Sequence, residues 1–194
     1  MRMKRQPRTR SRRWTKAEYY RLGKLRFFDG HRVELIEGRI FDQGPHMPLH
    51  AGMMRVIRGV MQALLPAEYS LRGKMPLDLG KRTEPEPDYA VVEGTIREHM
   101  AAHPTSAVLI VEVADCSLDY DRNRKGSLYA RAGIADYWIV NLVDNRLEVY
   151  RDPVPDSSRR YGHRYASRVD LVPPNTISPL AMPGIVLAVA SLLP

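Results

Sequence analysis

A single cysteine, Cys116, among 194 residues leaves no partner for a disulfide within the chain and no cysteine-built zinc site drawn from it alone. Long apolar runs are missing too. The most apolar stretch, "LAMPGIVLAVASLLP", is broken by Pro183 and Gly184 and falls short of the roughly 20 residues a membrane-spanning helix needs. It is expected to close the fold as a strand and a short helical turn. The stretch "RSRRWTKAEYYRLGK" holds no apolar core of the kind a secretory signal requires, so no such signal is expected, nor a transit peptide. With one cysteine and no signal, a reducing cytoplasm is the expected setting. Internal repeats and low-complexity tracts are absent as well.

Acid is missing from the first 16 residues. Arg2, Lys4, Arg5, Arg8, Arg10, Arg12, Arg13 and Lys16 supply 8 of the 30 basic residues there, and the other 22 balance the 22 acids of the chain. The net charge of +8 is therefore a property of one end. The domain plan that follows is a basic arm over residues 1–14, expected to be disordered because blocks of like charge repel, and a single domain over 15–194. Arg5, Arg8, Arg10, Arg12 and Arg13 would favour any polyanion, nucleic acid included, without reading its sequence. The bland alternative is a solvated tail. With 44% hydrophobic and 27% charged residues, the body has the composition of a soluble globular protein large enough to bury a core.

Thr15 and Glu18 form a capping-box pattern that predicts a short helix through about Lys24. "RVELIEGRIFDQG" predicts a hairpin turning at Glu37-Gly38. From His50 to Leu65, Met54, Ile57, Met61, Leu64 and Leu65 recur at helical spacing, and Pro66 stops the segment. "YSLRGKMPLDLG" and "DYAVVE" read as strands, and "AVLIVEVAD" as a central strand covered on both faces. Ser117 as N-cap and Gly133 as the C′ residue enclose a helix of roughly 14 residues, with Leu118, Leu128, Tyr129 and Ala132 inward. "DYWIVNL" and "RLEVYRD" predict two more strands, Tyr137 and Trp138 core positions, and 153–160 an exposed loop. The strand–helix–strand order over 107–141 implies a crossover unit in a mixed sheet.

One residue does not fit an apolar strand. Glu112, inside "VLIVEVA", is costly to bury unless it is paired or binds a cation. Alternation places it on the face of Ala114, opposite Val111 and Val113. Asp88, in "EPEPDYAVVEG", would add a second carboxylate if its strand pairs with that of Glu112. Two carboxylates are hard oxygen ligands suited to Mg²⁺ or Mn²⁺, with water completing the shell. Such an ion can assist phosphodiester hydrolysis, and a nearby ammonium could orient the attacking water. Lys125 is the candidate, one turn after Asp121 and about one turn before Tyr129. The competing readings are a strand-entry aspartate bonded to backbone for Asp88, a buried ion pair with arginine for Glu112, and a solvated face for Lys125. Cys116 reads as a small residue after a strand, not a nucleophile.

"VELIEGR", the helix-opening His50, "EPEPDYAVV", "VLIVEVADCSLDYDRNRKGSLYARAGIADYWIVNL" and "ISPLAMPGIVLA" together resemble the Uma-two family, described as putative restriction endonucleases, within the PD-(D/E)XK nuclease superfamily. The resemblance spans roughly residues 15 to 190. It implies an α/β restriction-endonuclease-like core, with a central mixed sheet flanked by helices, and a divalent-metal-dependent endonuclease hydrolysing DNA phosphodiester bonds. On that pattern Asp88 and Glu112 are the metal ligands and Lys125 replaces the usual lysine two positions after the glutamate, where Ala114 stands. Glu34 and His50 match recurrent positions, Glu34 as an auxiliary acid near the metal; Asp121, by its one-turn spacing from Lys125, is a further auxiliary that either pairs with that lysine as structural support or holds it in position. A homodimer is expected from the resemblance. The missing strand lysine keeps open a second reading, a catalytically inactive nuclease-fold module that binds nucleic acid or protein, and a third, a hydrolase of another phosphate ester.

Overall fold

Thr15 accepts a hydrogen bond from the Glu18 backbone while the Glu18 carboxylate reaches back to the Thr15 amide, so the capping box opens α1 (Lys16–Lys24) as read from the sequence. The computed structural model describes residues 11–45 and 47–194, which leaves Arg5, Arg8 and Arg10 of the arm outside the described residues. Next comes the hairpin β1 (Val33–Ile36) and β2 (Arg39–Asp42), whose two-residue turn has positive φ at both Glu37 and Gly38. Gly38 is required there, because a Cβ would lie 2.9 Å from the Trp14 carbonyl oxygen.

Pro48 at its first turn opens α2 (Pro48–Leu64). The helix buries His50, Met53, Ile57 and Met61, whereas Leu64, expected to be inward, is exposed. Six strands then build one sheet in sequence order: β3 (Tyr69–Gly73), β4 (Tyr89–Glu93), β5 (Leu109–Ala114), β6 (Asp136–Asn141), β7 (Arg146–Pro155) and β8 (His163–Leu171). All neighbours are antiparallel except β5 and β6, which run parallel and are joined through a helix, as the crossover reading requires. "YSLRGKMPLDLG" is a strand only as far as Gly73. Pro153 and Pro155, read as loop, lie inside β7, where it runs past the end of β6 and pairs with β8 alone, an edge setting that tolerates proline.

Both sheet faces are covered, and that is why β5 is a continuous apolar run. On one face α2 and the chain end (β10, Leu187–Ala188, paired with β9, Thr176–Ile177, then a 3₁₀ turn over Val189–Leu192) pack on Val91, Val111, Val113, Trp138 and Val140. On the other, Leu128, Tyr129 and Ala130 of α3 (Gly126–Arg131) pack on Ala90, Ile110, Ala114, Tyr137 and Ile139.

The segment before α3 departs from the expected regular helix. Residues Tyr120–Lys125 are π-helical, with the Gly126 amide donating to the Asp121 carbonyl five residues back. That carbonyl also accepts from the Tyr137 hydroxyl at 3.0 Å, an anchor from the sheet that fixes the wide turn. Ser117 does not cap the helix in the usual sense either; its hydroxyl donates to the Asp121 carboxylate at 2.6 Å. Gly133 ends the helix with φ +75°, as expected. Such π-turns are frequent at functional sites.

Candidate active site

Antiparallel pairing of β4 with β5 sets Tyr89 opposite Val111, so Asp88 falls beside Glu112 at the end of the ladder. The two residues interlock. Asp88 donates its amide to Glu112 Oε2 at 3.1 Å, and Asp88 Oδ2 accepts from the Val113 amide at 2.7 Å. Both are almost fully buried, at 3% and 1% exposure. The backbone-bonded aspartate anticipated as a bland alternative is thus present, but one carboxylate oxygen of each residue is left for other partners.

Those partners are lysines, not arginine. Lys125 Nζ lies 2.8 Å from Glu112 Oε1 and 3.9 Å from Asp121 Oδ1, and the Tyr129 hydroxyl donates to Glu112 Oε1 at 2.8 Å. The π-turn therefore delivers Asp121, Lys125 and Tyr129 to one place. Lys74 forms the second ion pair, to Asp88 Oδ1. Sequence reasoning missed this residue. Its signal was topological: Gly73 pairs with Tyr89, which sets Lys74 against Asp88, and the Lys74 amide donates to the Asp88 carbonyl. Without knowing that β3 is the partner of β4, nothing distinguishes Lys74 from other surface lysines.

The remaining candidates converge on the same cavity. It measures about 240 Å³ and is lined by Glu34, His50, Lys74, Asp88, Glu112 and Lys125, with Phe41, Cys116, Ser117, Tyr120 and Asp121 in its walls. Glu34 arrives from the β1–β2 hairpin and is held by the Tyr120 hydroxyl at 3.0 Å and the Glu86 amide at 3.1 Å. His50 Nε2 stands 3.8 Å from Asp88 Oδ1, contributed by α2 from the opposite layer. Of the arm, Arg12 pairs with Glu18, and Arg13 Nη1 donates to the Glu37 carbonyl at 2.5 Å; neither residue lines the cavity. Cys116 is exposed, and its hydrogen bond with Asp115 raises the thiol, so it is not poised as a thiolate.

Acid is crowded in the cavity. Four buried carboxylates, Glu34, Asp88, Glu112 and Asp121, face the two ammonium groups of Lys74 and Lys125. Burial pushes Asp121 up to about 8, with Glu112 and Asp88 adding to the push against Lys125. Burial likewise raises Glu112. For Asp88 burial is outweighed by Lys74 and Lys125, which hold the group below the ordinary carboxylate range. Burial acts to lower Lys125, but Glu112, Glu34 and Asp121 keep it well above its usual value, so it stays protonated. Burial depresses His50 despite Asp88, which keeps the imidazole neutral at neutral pH.

The donor set suits a hard cation held by few protein ligands. Among the described residues no group of three or more His, Cys, Asp or Glu side chains is arranged to hold a metal. Mg²⁺ commonly binds through one or two carboxylates and keeps its waters. Asp88 and Glu112 fit that description, and a divalent cation there would favour the ionised forms that the crowding of acid opposes.

A family model described as "Uma2: Putative restriction endonuclease" matches residues 17–190. The chain belongs to this family. In this Uma2 protein the fold is also that of a solved structure, a "putative nuclease belonging to DUF820" from Anabaena variabilis, with a TM-score of 0.61 and 16% identity over 92% of this chain and 96% of that one. At such identity the likeness speaks for the fold alone. No curated protein matches the chain. Among the described residues, no helix of this Uma2 member is long and apolar enough to cross a membrane.

Proposed function

We propose that this Uma2 protein is a divalent-metal-dependent endonuclease that hydrolyses DNA phosphodiester bonds in the cavity bounded by Asp88, Glu112 and Lys125. The observation that carries the reading is a crowding of acid: four buried carboxyl groups around two lysines in one cavity, with Asp121 and Glu112 pushed toward their neutral forms, a state that a divalent cation on Asp88 and Glu112 would relieve. When bound, Mg²⁺ or Mn²⁺ supplies stabilisation of the charge developing on the phosphate.

The chain's own residues do the rest. Lys125 has three donors, and its contacts with Glu112 and Asp121 leave capacity for a water, which it orients toward phosphorus. Lys74, a quarter exposed, reaches Asp88 from the solvent side and is positioned to meet the negative charge of the phosphate. Glu34 and the Asp121–Ser117 pair hold Tyr120 and Lys125 in place. In the net reaction water adds to phosphorus, the bond to one bridging oxygen breaks, and one proton passes from the attacking water to the leaving oxygen.

Purified protein should nick supercoiled DNA in Mg²⁺ or Mn²⁺, lose that activity in EDTA, and lose it in Asp88→Ala and Glu112→Ala. Cleavage that persists in both variants would refute the assignment. The two lysine ion pairs favour a second reading, since each carboxylate already has a cation partner: a nuclease fold retained as a non-catalytic binding module. Calorimetry separates the two, because no uptake of Mg²⁺ or Mn²⁺ at millimolar concentration would leave only the module.

A further inference from the structure

Tyr120 is a wall shared by two concavities. On one side it lines the candidate active site; on the other it borders a shallow depression formed with Asn123, Arg124, Ser158, Arg159 and Arg160. The Arg124 guanidinium lies 4.6 Å over Phe41 and 5.2 Å over Tyr120, both of which face the cavity, and its Nη1 is buried without a hydrogen-bond partner. Asp119, which also lines this depression, takes the Asn123 amide at 2.8 Å. Arg124 and Arg160 have no carboxylate partner among the described residues, and Arg159 stands 3.7 Å from Asp156 while half exposed.

The strip continues. Arg160 is shared with a further depression lined by Arg13, Arg39, Arg131, Tyr161 and Glu37. Glu37 is neutralised by Arg131, while Arg39 has no carboxylate partner among the described residues. Its shape is preset. The Tyr161 amide donates to Ser127 Oγ of α3 at 3.0 Å, Arg131 and Arg160 stack on the Tyr161 ring, and a backbone bond from Asp156 to Gly162 closes the turn between β7 and β8. The last described residues of the basic arm, including Arg13, join the body at this place.

We infer that the arginine strip running from Tyr120 through Arg124, Arg159 and Arg160 to Arg131 and Arg39 is a DNA-backbone track that leads a strand away from the active-site cavity. Arginine forks suit phosphate oxygens, a fixed loop limits the entropy lost on binding, and a run of them beside a phosphodiester site would set the direction in which the duplex lies. None of these contacts reads bases, so the track adds affinity and orientation without sequence preference.

The inference rests on the nuclease reading, and its test avoids turnover. Binding of a labelled duplex is measured by fluorescence anisotropy in EDTA over a range of NaCl, with the full chain carrying Glu112→Gln as background. Arg124→Gln/Arg159→Gln/Arg160→Gln should weaken binding at least about tenfold near physiological salt and reduce the log–log salt slope by roughly 2 to 3, about one per phosphate contact. Arg55→Gln/Arg58→Gln/Arg97→Gln removes the same charge from exposed sites outside the strip and should change the slope by less than about one. The single change Arg160→Glu guards against misfolding of the triple variant and should weaken binding more than Arg55→Glu. Equal slopes for the two triple variants, or no binding at low salt, would overturn the track, and tighter binding of RNA through the same arginines would reassign it. A lowered slope without cleavage by the parent protein leaves the track standing and removes the enzyme. Cleavage with unchanged slopes does the reverse.

Discussion

Two buried glutamates occupy one row of the sheet with only Ile139 between them: Glu112 on β5 pairs across to Ile139, and Ile139 to Glu148 on β7. Each is all but inaccessible to water. Glu148 is saturated. Arg122 forks onto it, Arg168 lies 3.3 Å away, and Tyr150 and Asn141 donate at 2.6 and 2.7 Å. Burial opposes its ionisation, but the Arg122 and Tyr150 bonds prevail and the carboxyl stays below its ordinary value. Glu112 has Lys125 and Tyr129 but also three acids around one cavity, and it is raised. The same residue type at the same depth is thus a closed structural pair in one place and, in the other, a paired acid crowded by further acids at the wall of a cavity. Burial of a carboxylate alone marks nothing; one whose pKa is raised by burial together with neighbouring acids at a cavity does.

That contrast gives the sharpest test. Glu112→Gln should lower nicking activity by at least about 10²-fold, the scale of losing one group that stabilises the transition state, in protein that still folds. Glu148→Gln should do the opposite, with activity per folded molecule nearly unchanged and stability lower by about 3 kcal/mol. The low end of the range for a broken buried pair applies because Arg122 and Arg168 reach solvent. Chemical denaturation and a plasmid assay on both variants decide it; activity lost at Glu148 and kept at Glu112 would reverse the roles assigned here.

A divalent ion should distinguish the two sites next. At 100 times its dissociation constant a ligand adds about 2.7 kcal/mol to the folded state, or roughly 5–10 °C in Tm for a chain of this size. Mg²⁺ or Mn²⁺ should give that shift in the parent and in Glu148→Gln, and none in Asp88→Asn or Glu112→Gln, as read by thermal melts. A shift that survives in the last two would place the ion elsewhere.

The exposed cation of each cluster offers a smaller version of the comparison. Lys74→Gln should cost about tenfold in cleavage rate, near 1.4 kcal/mol of barrier, whereas Arg168→Gln should leave the rate within about twofold. Both are surface-reaching side chains, so equal rates for the two variants would deny Lys74 any part in the reaction.

Much of this was legible in the residues. Capping box, hairpin, crossover and closing strand all follow from local chemistry, and Glu112 announced itself because an acid inside an aliphatic strand has few explanations. Glu148 gave no such warning: "RLEVYRD" alternates as an ordinary half-exposed strand would, and only the pairing of β7 with β8 under Tyr150 and Arg122 shows that its polar face is buried. Lys74 was hidden for a related reason, since its role depends on which strand lies beside β4. The π-turn at Tyr120–Lys125 was also invisible: its Asp121 carbonyl is bonded to the Tyr137 hydroxyl on a strand of the sheet, a partner no local pattern names. What long-range pairing decides, local pattern does not carry.

The smallest effect is a slope against pH, and its sign separates the clusters. Asp121 titrates near 8 in the folded chain against an ordinary 3.8, so the folded state holds the extra proton between these values. Its contribution to stability is complete below about 4 and is lost as pH rises toward about 8. Glu112, also raised by burial, acts in the same direction. Glu148 is lowered from 4.5, so its contribution is complete above that value and is lost as pH falls through the folded pKa. His50, depressed by burial, works the other way below its ordinary 6.5, so melts of the metal-free protein should show Tm falling between about pH 6.5 and 8, with Asp121→Asn flattening the fall and Glu148→Gln leaving it in place while removing part of the loss on the acid side. Mg²⁺ should stabilise most at the alkaline end, where the cavity carries its full negative charge. A metal-free profile that rises through this window would mean that the lysines fully compensate the acids around Lys125 and none is raised, and the crowding of acid on which the metal site rests would be gone.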